Sequence, residues 1–361
     1  MSRDGLLSFL SSILVIIAGL LVGLIVLLVS NAEQALPAVQ TILTFGVDNM
    51  RNVGDVLLRA TPIILTGLSV AFAFKTGLFN IGASGQFMLG GFVSIMIGVH
   101  ALAIPAPLRI IFALLAAALT GALWGAIPGL LKAYRNVHEV ISSIMTNYIG
   151  MFFAVYLIQE FAFDQGRGTS AHLHPTSTLP RMGFQNIFRE PVGAAFRESH
   201  VNVGIVIAII LAIVIYIILE KTTFGYELKA CGFNQDAAKY AGINQKRNIV
   251  FSMMISGSLA GIAGALNFMG TTGLSMSVVE TLAMEGFTGI SVAFLGLNHP
   301  IGIIFSGIFV SYLQLGGARL QPHFSAELVE TVIAVIIYFC AFVFVVKSMI
   351  GKVIKKKDGG N

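Results

Sequence analysis

The chain is written mostly in long apolar runs separated by short polar joints. A membrane-crossing helix needs about 20 mostly apolar residues. Runs of that kind cover 6–30, 56–74, 78–99, 108–131, 140–159, 201–219, 249–269, 301–317 and 328–346, with a shorter one at 284–297. The pattern predicts an all-α, polytopic membrane protein with about ten transmembrane helices. The short runs near the end are the candidates for half-helices. The first run is too long for the apolar part of a cleaved signal peptide and only Arg3 precedes it as a cation, so it is expected to stay as a helix. Two long polar segments interrupt the series. Residues 161–200 hold Pro175, Pro180, Pro191 and several Arg and His, and residues 220–248 carry mixed charges with helix-like patterning.

Lysine placement orients the spans. An even number of crossings puts both termini on one side, and cytoplasmic loops gather Lys and Arg. With Lys352, Lys355, Lys356 and Lys357 inside, Lys75, Lys132, Arg135, Lys221, Lys229, Lys239, Lys246 and Arg247 also fall inside. The 161–200 segment then becomes an extracellular loop, with Arg167, Arg181, Arg189 and Arg197 balanced by Asp164, Glu190 and Glu198. The whole of 1–361 is expected to form one transmembrane domain.

Composition sharpens this picture. The 361 residues are 56% hydrophobic and only 11% charged, against about 25% charged in soluble domains. A soluble fold of this size has too little interior to hide that apolar surface, which excludes a soluble enzyme, a disordered protein and a free nucleic-acid binder. The net charge of +5 follows from the inward lysines rather than from a nucleic-acid partner. Cys231 and Cys340 stand far apart and fit no metal or disulfide spacing.

Catalytic motifs are missing from the sequence. No phosphate loop of the G-x-x-x-x-G-K-[ST] type, no H-E-x-x-H and no G-x-S-x-G elbow occurs. His138, His172, His174, His200, His299 and His323 fall at loops or span ends, and nothing completes a metal site around His172 and His174. Glu139, Glu160, Glu220, Glu327 and Glu330 sit at span ends, leaving Glu285 the deepest acid. An ion-driven carrier would favour acids in mid-span.

Two glycine-broken segments stand out. Residues 77–91, GLFNIGASGQFMLGG, hold five glycines together with Asn80, Ser84 and Gln86 at membrane depth. Bare backbone in lipid costs several kcal/mol per group, so a broken helix there must face protein or a wet cavity. One reading is a substrate path lined by Phe79, Asn80, Ser84 and Gln86; the other is tight packing with polar side chains bonded across helices. Residues 285–300, beginning Glu285-Gly286-Phe287, form a comparable segment in the second half. Such paired breaks in two related halves point to a transporter's binding site. Gly121, Gly125 and Gly129, like Gly257 and Gly261, recur every four residues and let another helix approach. In 220–248, Asn234 suits a helix N-cap, Asp236, Ala237, Ala238 and Lys239 suit the helix, and Gly242 suits its stop. About two turns are unstable alone, so this helix needs a docking surface, either the membrane or a partner.

Four blocks in order, GLFNIGASGQFMLGG (77–91), NVHEVISSIMTNYI (136–149), TTFGYELKACGFNQDAAKYAGIN (222–244) with SGSLAGIAGAL (256–266), and GFTGISVAFLGLNHPIG (286–302), resemble the ABC importer permeases that include branched-chain amino acid and ribose permeases. The wording is most similar to the nucleoside-uptake branch, and the resemblance runs over about 55–345. It implies a permease subunit that carries nucleosides across a bacterial cell membrane by alternating access. It also implies a homologous second permease chain, a separate ABC ATPase holding ATP and magnesium, and a lipid-anchored or secreted binding protein outside. No cofactor and no catalytic or metal site is expected on this chain. The segment 220–248 becomes the cytoplasmic coupling loop, with Asn234, Gln235, Asp236, Ala237, Ala238, Lys239 and Gly242 at the ATPase. Phe79, Asn80, Ser84, Gln86, Glu285 and Phe287 become the path. The alternatives are a ribose-like sugar or a branched-chain amino acid as cargo, an ion-driven secondary transporter, and, least supported, a membrane-embedded enzyme.

Overall fold

A computed structural model describes residues 3–192, 195–270, 275–321, 323–342 and 346. The C-terminal lysines used for orientation lie outside the described residues. Each apolar run of the sequence holds a helix. They are α1 (Arg3–Ser30), α3 (Met50–Lys75), α4 (Ala83–His100), α5 (Ala106–Arg135), α6 (Glu139–Phe161), α8 (Gly204–Lys221), α11 (Gln245–Phe268), α12 (Met284–Leu295), α13 (Pro300–Ala318) and α14 (Ala326–Ala341). Among the described residues, seven helices are long and apolar enough to cross a membrane: α3, α4, α5, α6, α8, α11 and α13. Ile17–Ser30 and α12 are shorter apolar helices. At 12 residues, α12 is about 18 Å long, well short of the roughly 30 Å hydrocarbon core. It is a half-helix.

Hydropathy gave no warning of α2 (Ala32–Thr44), because its apolar positions lie on one side and Pro37 interrupts it. Its start is nevertheless written locally: Asn31 accepts a hydrogen bond from the Gln34 amide at 3.3 Å, the usual way a side chain satisfies a free helix-end donor. Two further helices, α9 (Thr223–Phe233) and α10 (Gln235–Tyr240), fill the 220–248 segment. The 161–200 segment is irregular, with the four-residue α7 (Phe184–Ile187). It also holds two small antiparallel ribbons, β1 (Phe163–Asp164) with β2 (Thr169–Ser170), and β3 (Arg189–Val192) with β4 (Ala195–Glu198).

The chain divides into two compact units, 1–53 with 309–361 and 54–308. In the smaller, α1 packs on α14: Gly19 lies against Ile336 and Phe339, and Gly23 against Val332. Gly316 lies against Ile42 of α2, the Tyr312 ring covers Gly46, and the Tyr312 hydroxyl donates to the Leu43 carbonyl.

The larger unit is built on α4, α5 and α11. The two glycine stripes face each other. Gly121 and Gly125 abut Gly257, and Gly261 abuts Ala117 and Gly121, so the backbones of α5 and α11 touch. Gly90 meets Gly261, and Gly264 meets the Phe87 carbonyl, which brings α4 equally close to α11. The partner of each stripe is therefore another helix of the same chain. On α6, Gly150 meets Trp124 and Gly85, and the Trp124 indole donates to the Thr146 carbonyl at 2.9 Å.

The two long polar segments lie at opposite ends of this unit. Residues 161–200 reach the ends of three other helices, α3, α4 and α5: Ser177 donates to the Gly98 carbonyl at 2.6 Å, and Ser199 donates to Asp55 at 2.6 Å. Arg109, 2% exposed, donates to the Thr176 carbonyl at 3.1 Å and to its hydroxyl at 2.6 Å. Met276 and Ser170 exchange two hydrogen bonds of 2.9 Å. At the other end, Gly232 of α9 packs on Lys75, the last residue of α3.

Candidate transport path and docking site

Between α3 and α4 the chain leaves the helix at Thr76 and re-enters at Ala83. Gly77 takes a φ of +74° there, a left-handed conformation that costs a β-carbon-bearing residue about 1 kcal/mol or more. Its near neighbour is the Gly232 backbone, so both conformation and space favour glycine at Gly77.

The polar residues of this break turn inward. Asn80, Ser84 and Gln86 are all 0% exposed. The Asn80 amide donates to Gln86 Oε1 and to Ser256 Oγ, each at 2.8 Å. Gln86 returns a bond to Asn80 Oδ1 at 3.3 Å. Ser256 on α11 donates to the Ser69 carbonyl at 2.7 Å, and the Thr76 and Ser252 hydroxyls are hydrogen-bonded to each other at 2.8 Å. The hydroxyls of α3 and α11 thus clamp the break from both sides. A buried amide without such partners would cost about 1–3 kcal/mol.

The two glycine-broken segments meet. Ser84 donates to the Ala283 carbonyl at 2.8 Å, and Thr66 of α3 donates to the Glu285 carbonyl at 2.9 Å. Gly286 rests on Ser84 and Gly289 on Thr66. The start of α12 is therefore held between α3 and α4. Phe79 and Phe294 approach at 6.2 Å between ring centroids, and Phe74 meets Phe294 edge-on at 5.4 Å.

Of the six predicted path residues, Phe79, Glu285 and Phe287 keep part of their surface open. Asn80, Ser84 and Gln86 lie in the protein interior behind them. Sequence reasoning passed over Arg59, an exposed arginine inside the run 56–74. The signal was available, since an ionised residue within an apolar run is a functional candidate by default.

At the far end, α10 has both of its predicted stops. Asn234 accepts from the Ala237 amide at 3.0 Å. Gly242, at φ +83°, donates to the Lys239 carbonyl while Ile243 donates to the Ala238 carbonyl, each at 3.0 Å, which is the glycine-terminated pattern that satisfies a helix end. Ala238 is buried and anchors the helix. Gln245 donates to Gln235 at 2.6 Å, and Arg247 and Asn248 both donate to Glu227 at 2.9 Å, tying α9 to the start of α11. Burial pushes the Cys231 thiol above its ordinary range, with Glu227 adding to the effect and the Asn248 side chain opposing it. Two large aromatic side chains frame α10 on its open side: Phe233 is 91% exposed and Tyr240 94% exposed. Neither was singled out from the sequence, because an aromatic in a loop carries no local sign of which way it faces.

Known proteins resemble this chain along nearly its whole length. It is 37% identical to the guanosine ABC transporter permease protein NupP of Bacillus subtilis (strain 168), over 97% of each chain. It is 35% identical to the nucleoside ABC transporter permease protein NupB of Lactococcus lactis subsp. cremoris (strain MG1363), over 94% of this chain and 92% of the other. The glucose ABC transporter permease protein TsgB13 of Haloferax volcanii is 30% identical, over 92% of this chain and 87% of its own. Bacillus subtilis also holds a more distant relative, the guanosine permease protein NupQ, 26% identical over 72% of this chain and 79% of its own. Residues 52–345 match the family described as branched-chain amino acid transport system / permease component. That span contains the clamped break, α12 and the α9–α10 pair, so the chain belongs to this family of membrane permeases.

Proposed function

We propose that this chain is the membrane-spanning subunit of an ATP-driven importer that carries nucleosides into a bacterial cell by alternating access. The observation that carries the reading is the 37% identity to a guanosine permease over 97% of both chains. NupP and NupQ, two guanosine permease proteins of one bacterium, support a homologous second permease chain as partner. ATP and magnesium are held by a separate ATPase, since this sequence has no phosphate loop. A binding protein delivers cargo from outside, and both termini are cytoplasmic.

In this reading Phe79, Glu285 and Phe287 line the path, while Asn80, Ser84 and Gln86 brace its wall. Phenylalanine rings suit a nucleobase, whose faces stack without regard to its edge groups. The coupling site is Asn234, Gln235, Asp236, Ala237, Ala238, Lys239 and Gly242, to which the exposure of Phe233 and Tyr240 adds two apolar anchors. ATP drives the cycle only if the ATPase grips one state of the permease better than the other.

The test is uptake of labelled guanosine by cells lacking other nucleoside importers, carrying this permease with its ATPase, second permease and binding protein. Uptake is expected to survive collapse of ion gradients and to stop on ATP depletion. Uptake that instead follows the ion gradient would sink the reading, and uptake of glucose or ribose with guanosine ignored would move the cargo to sugars.

A further inference from the structure

Arg59 is an ionised side chain on a helix whose next residues, 60–73, are all buried. It precedes Thr66 by about two helical turns, which puts both on one face of α3. Thr66 is the residue that holds the Glu285 carbonyl, so the face of α3 bearing Arg59 is turned toward the start of α12. About 14 Å of helix separates Thr66 from Lys75 at the end of α3, so Glu285 stands near the middle of a roughly 30 Å core. Arg59 and Glu285 are therefore carried on facing elements, α3 and the start of α12. Among the described residues neither closes an ion pair, and each keeps part of its surface open. The carboxylate stands in the first turn of a half-helix, where a positive helix end favours its charge, with the half-open Phe287 two residues on.

Building on the nucleoside reading, we infer that Arg59 and Glu285 form a selectivity station in the path that hydrogen-bonds a neutral, hydroxyl-bearing cargo between them. A carboxylate offers two acceptor oxygens, the number that the adjacent 2′- and 3′-hydroxyls of a ribose supply as donors. A guanidinium has only donors and matches the paired O6 and N7 acceptors of guanine. Opposite charges that are not closed on each other leave room for a ligand that presents donors to one and acceptors to the other. A neutral cargo with both kinds of group satisfies the pair, whereas one lacking the hydroxyls leaves Glu285 desolvated and unpaired.

The test uses the complete transporter in cells, compared at equal membrane levels and equal recovery of the co-purified ATPase. Initial uptake is measured with guanosine and with 2′,3′-dideoxyguanosine. Glu285→Gln is expected to collapse the preference for guanosine at least tenfold, and Glu285→Asp to retain most of it. Arg59→Gln is expected to lower guanosine uptake at least fivefold, with Arg59→Lys intermediate. An unchanged preference in Glu285→Gln, or full uptake in Arg59→Gln, overturns the station while leaving nucleoside import intact. A wild-type transporter that takes up neither nucleoside overturns both readings together.

Discussion

Ser256 serves three partners with one hydroxyl: the Ser69 carbonyl, the Ser69 hydroxyl and the Asn80 amide. Removing it leaves a buried amide short of an acceptor and a carbonyl short of a donor, at a cost of about 1–3 kcal/mol. Ser256→Ala and Asn80→Ala are both expected to lower the unfolding temperature of the detergent-purified protein. In the same variants, the half-saturating guanosine concentration is expected to stay within twofold of wild type. A large change in that concentration at unaltered unfolding temperature would return Asn80 to the path itself. Glycine seams are more severe sites. Gly257 faces the Gly121 carbonyl, and backbone cannot step aside as a flexible side chain can, so Gly257→Leu is expected to cost more than the 1–3 kcal/mol typical of overpacking. The measure is membrane protein level, with Gly242→Ala, which has open space but a left-handed backbone, as the milder comparison.

Among the elements, α10 and α12 show how differently short helices are secured. The six residues of α10 depend on caps at both ends, so Asn234→Ala is expected to destabilise it locally by about 1 kcal/mol. Amide hydrogen exchange across residues 235–243 is expected to quicken in this variant while α11 stays protected. Replacing Phe233 and Tyr240 with Ala together leaves the fold intact, because both side chains are almost wholly exposed, yet is expected to reduce recovery of the ATPase in pull-down at least tenfold. Full recovery would remove this face from coupling. By contrast α12 has no side-chain cap at its start and owes its position to Ser84, Thr66 and the small surfaces of Gly286 and Gly289.

Across the whole molecule, the proposed function needs cargo contacts and engine contacts on a connected body. In the larger unit, α11 links them: its first turns bond Glu227 on α9, and Ser252 and Ser256 further along grip Thr76 and Asn80. Whether movement travels along this helix is a matter of coupling energies rather than of contact alone. Sidedness is open to direct measurement. Single cysteines placed at Arg189 and at Lys239, in a background lacking Cys231 and Cys340, are expected to react differently with a membrane-impermeant maleimide. Arg189→Cys is expected to label in intact cells and Lys239→Cys only after permeabilisation; the reverse result would invert the topology.

Sequence by itself determined the helices and much of α10. An apolar run long enough to cross a bilayer and a cap bonded three residues away are local matters, decided by neighbours along the chain. The same local reasoning overlooked α2, whose apolar side is too narrow to raise the hydropathy of the segment. Tertiary structure alone decided which way the polar groups at membrane depth are turned. Asn80 and Gln86 carry the same amides whether they face cargo or protein, and only the arrival of Ser256, 176 residues from Asn80, turns them into the protein interior. Likewise each glycine stripe advertised a close neighbour without saying which, until α5 and α11 met. Arg59 and Glu285 are separated by most of the chain, and their opposition exists only because Thr66 and Ser84 hold the half-helix where it is. Contacts between distant residues depend on how helices pack, and no pattern within a single helix encodes its partner.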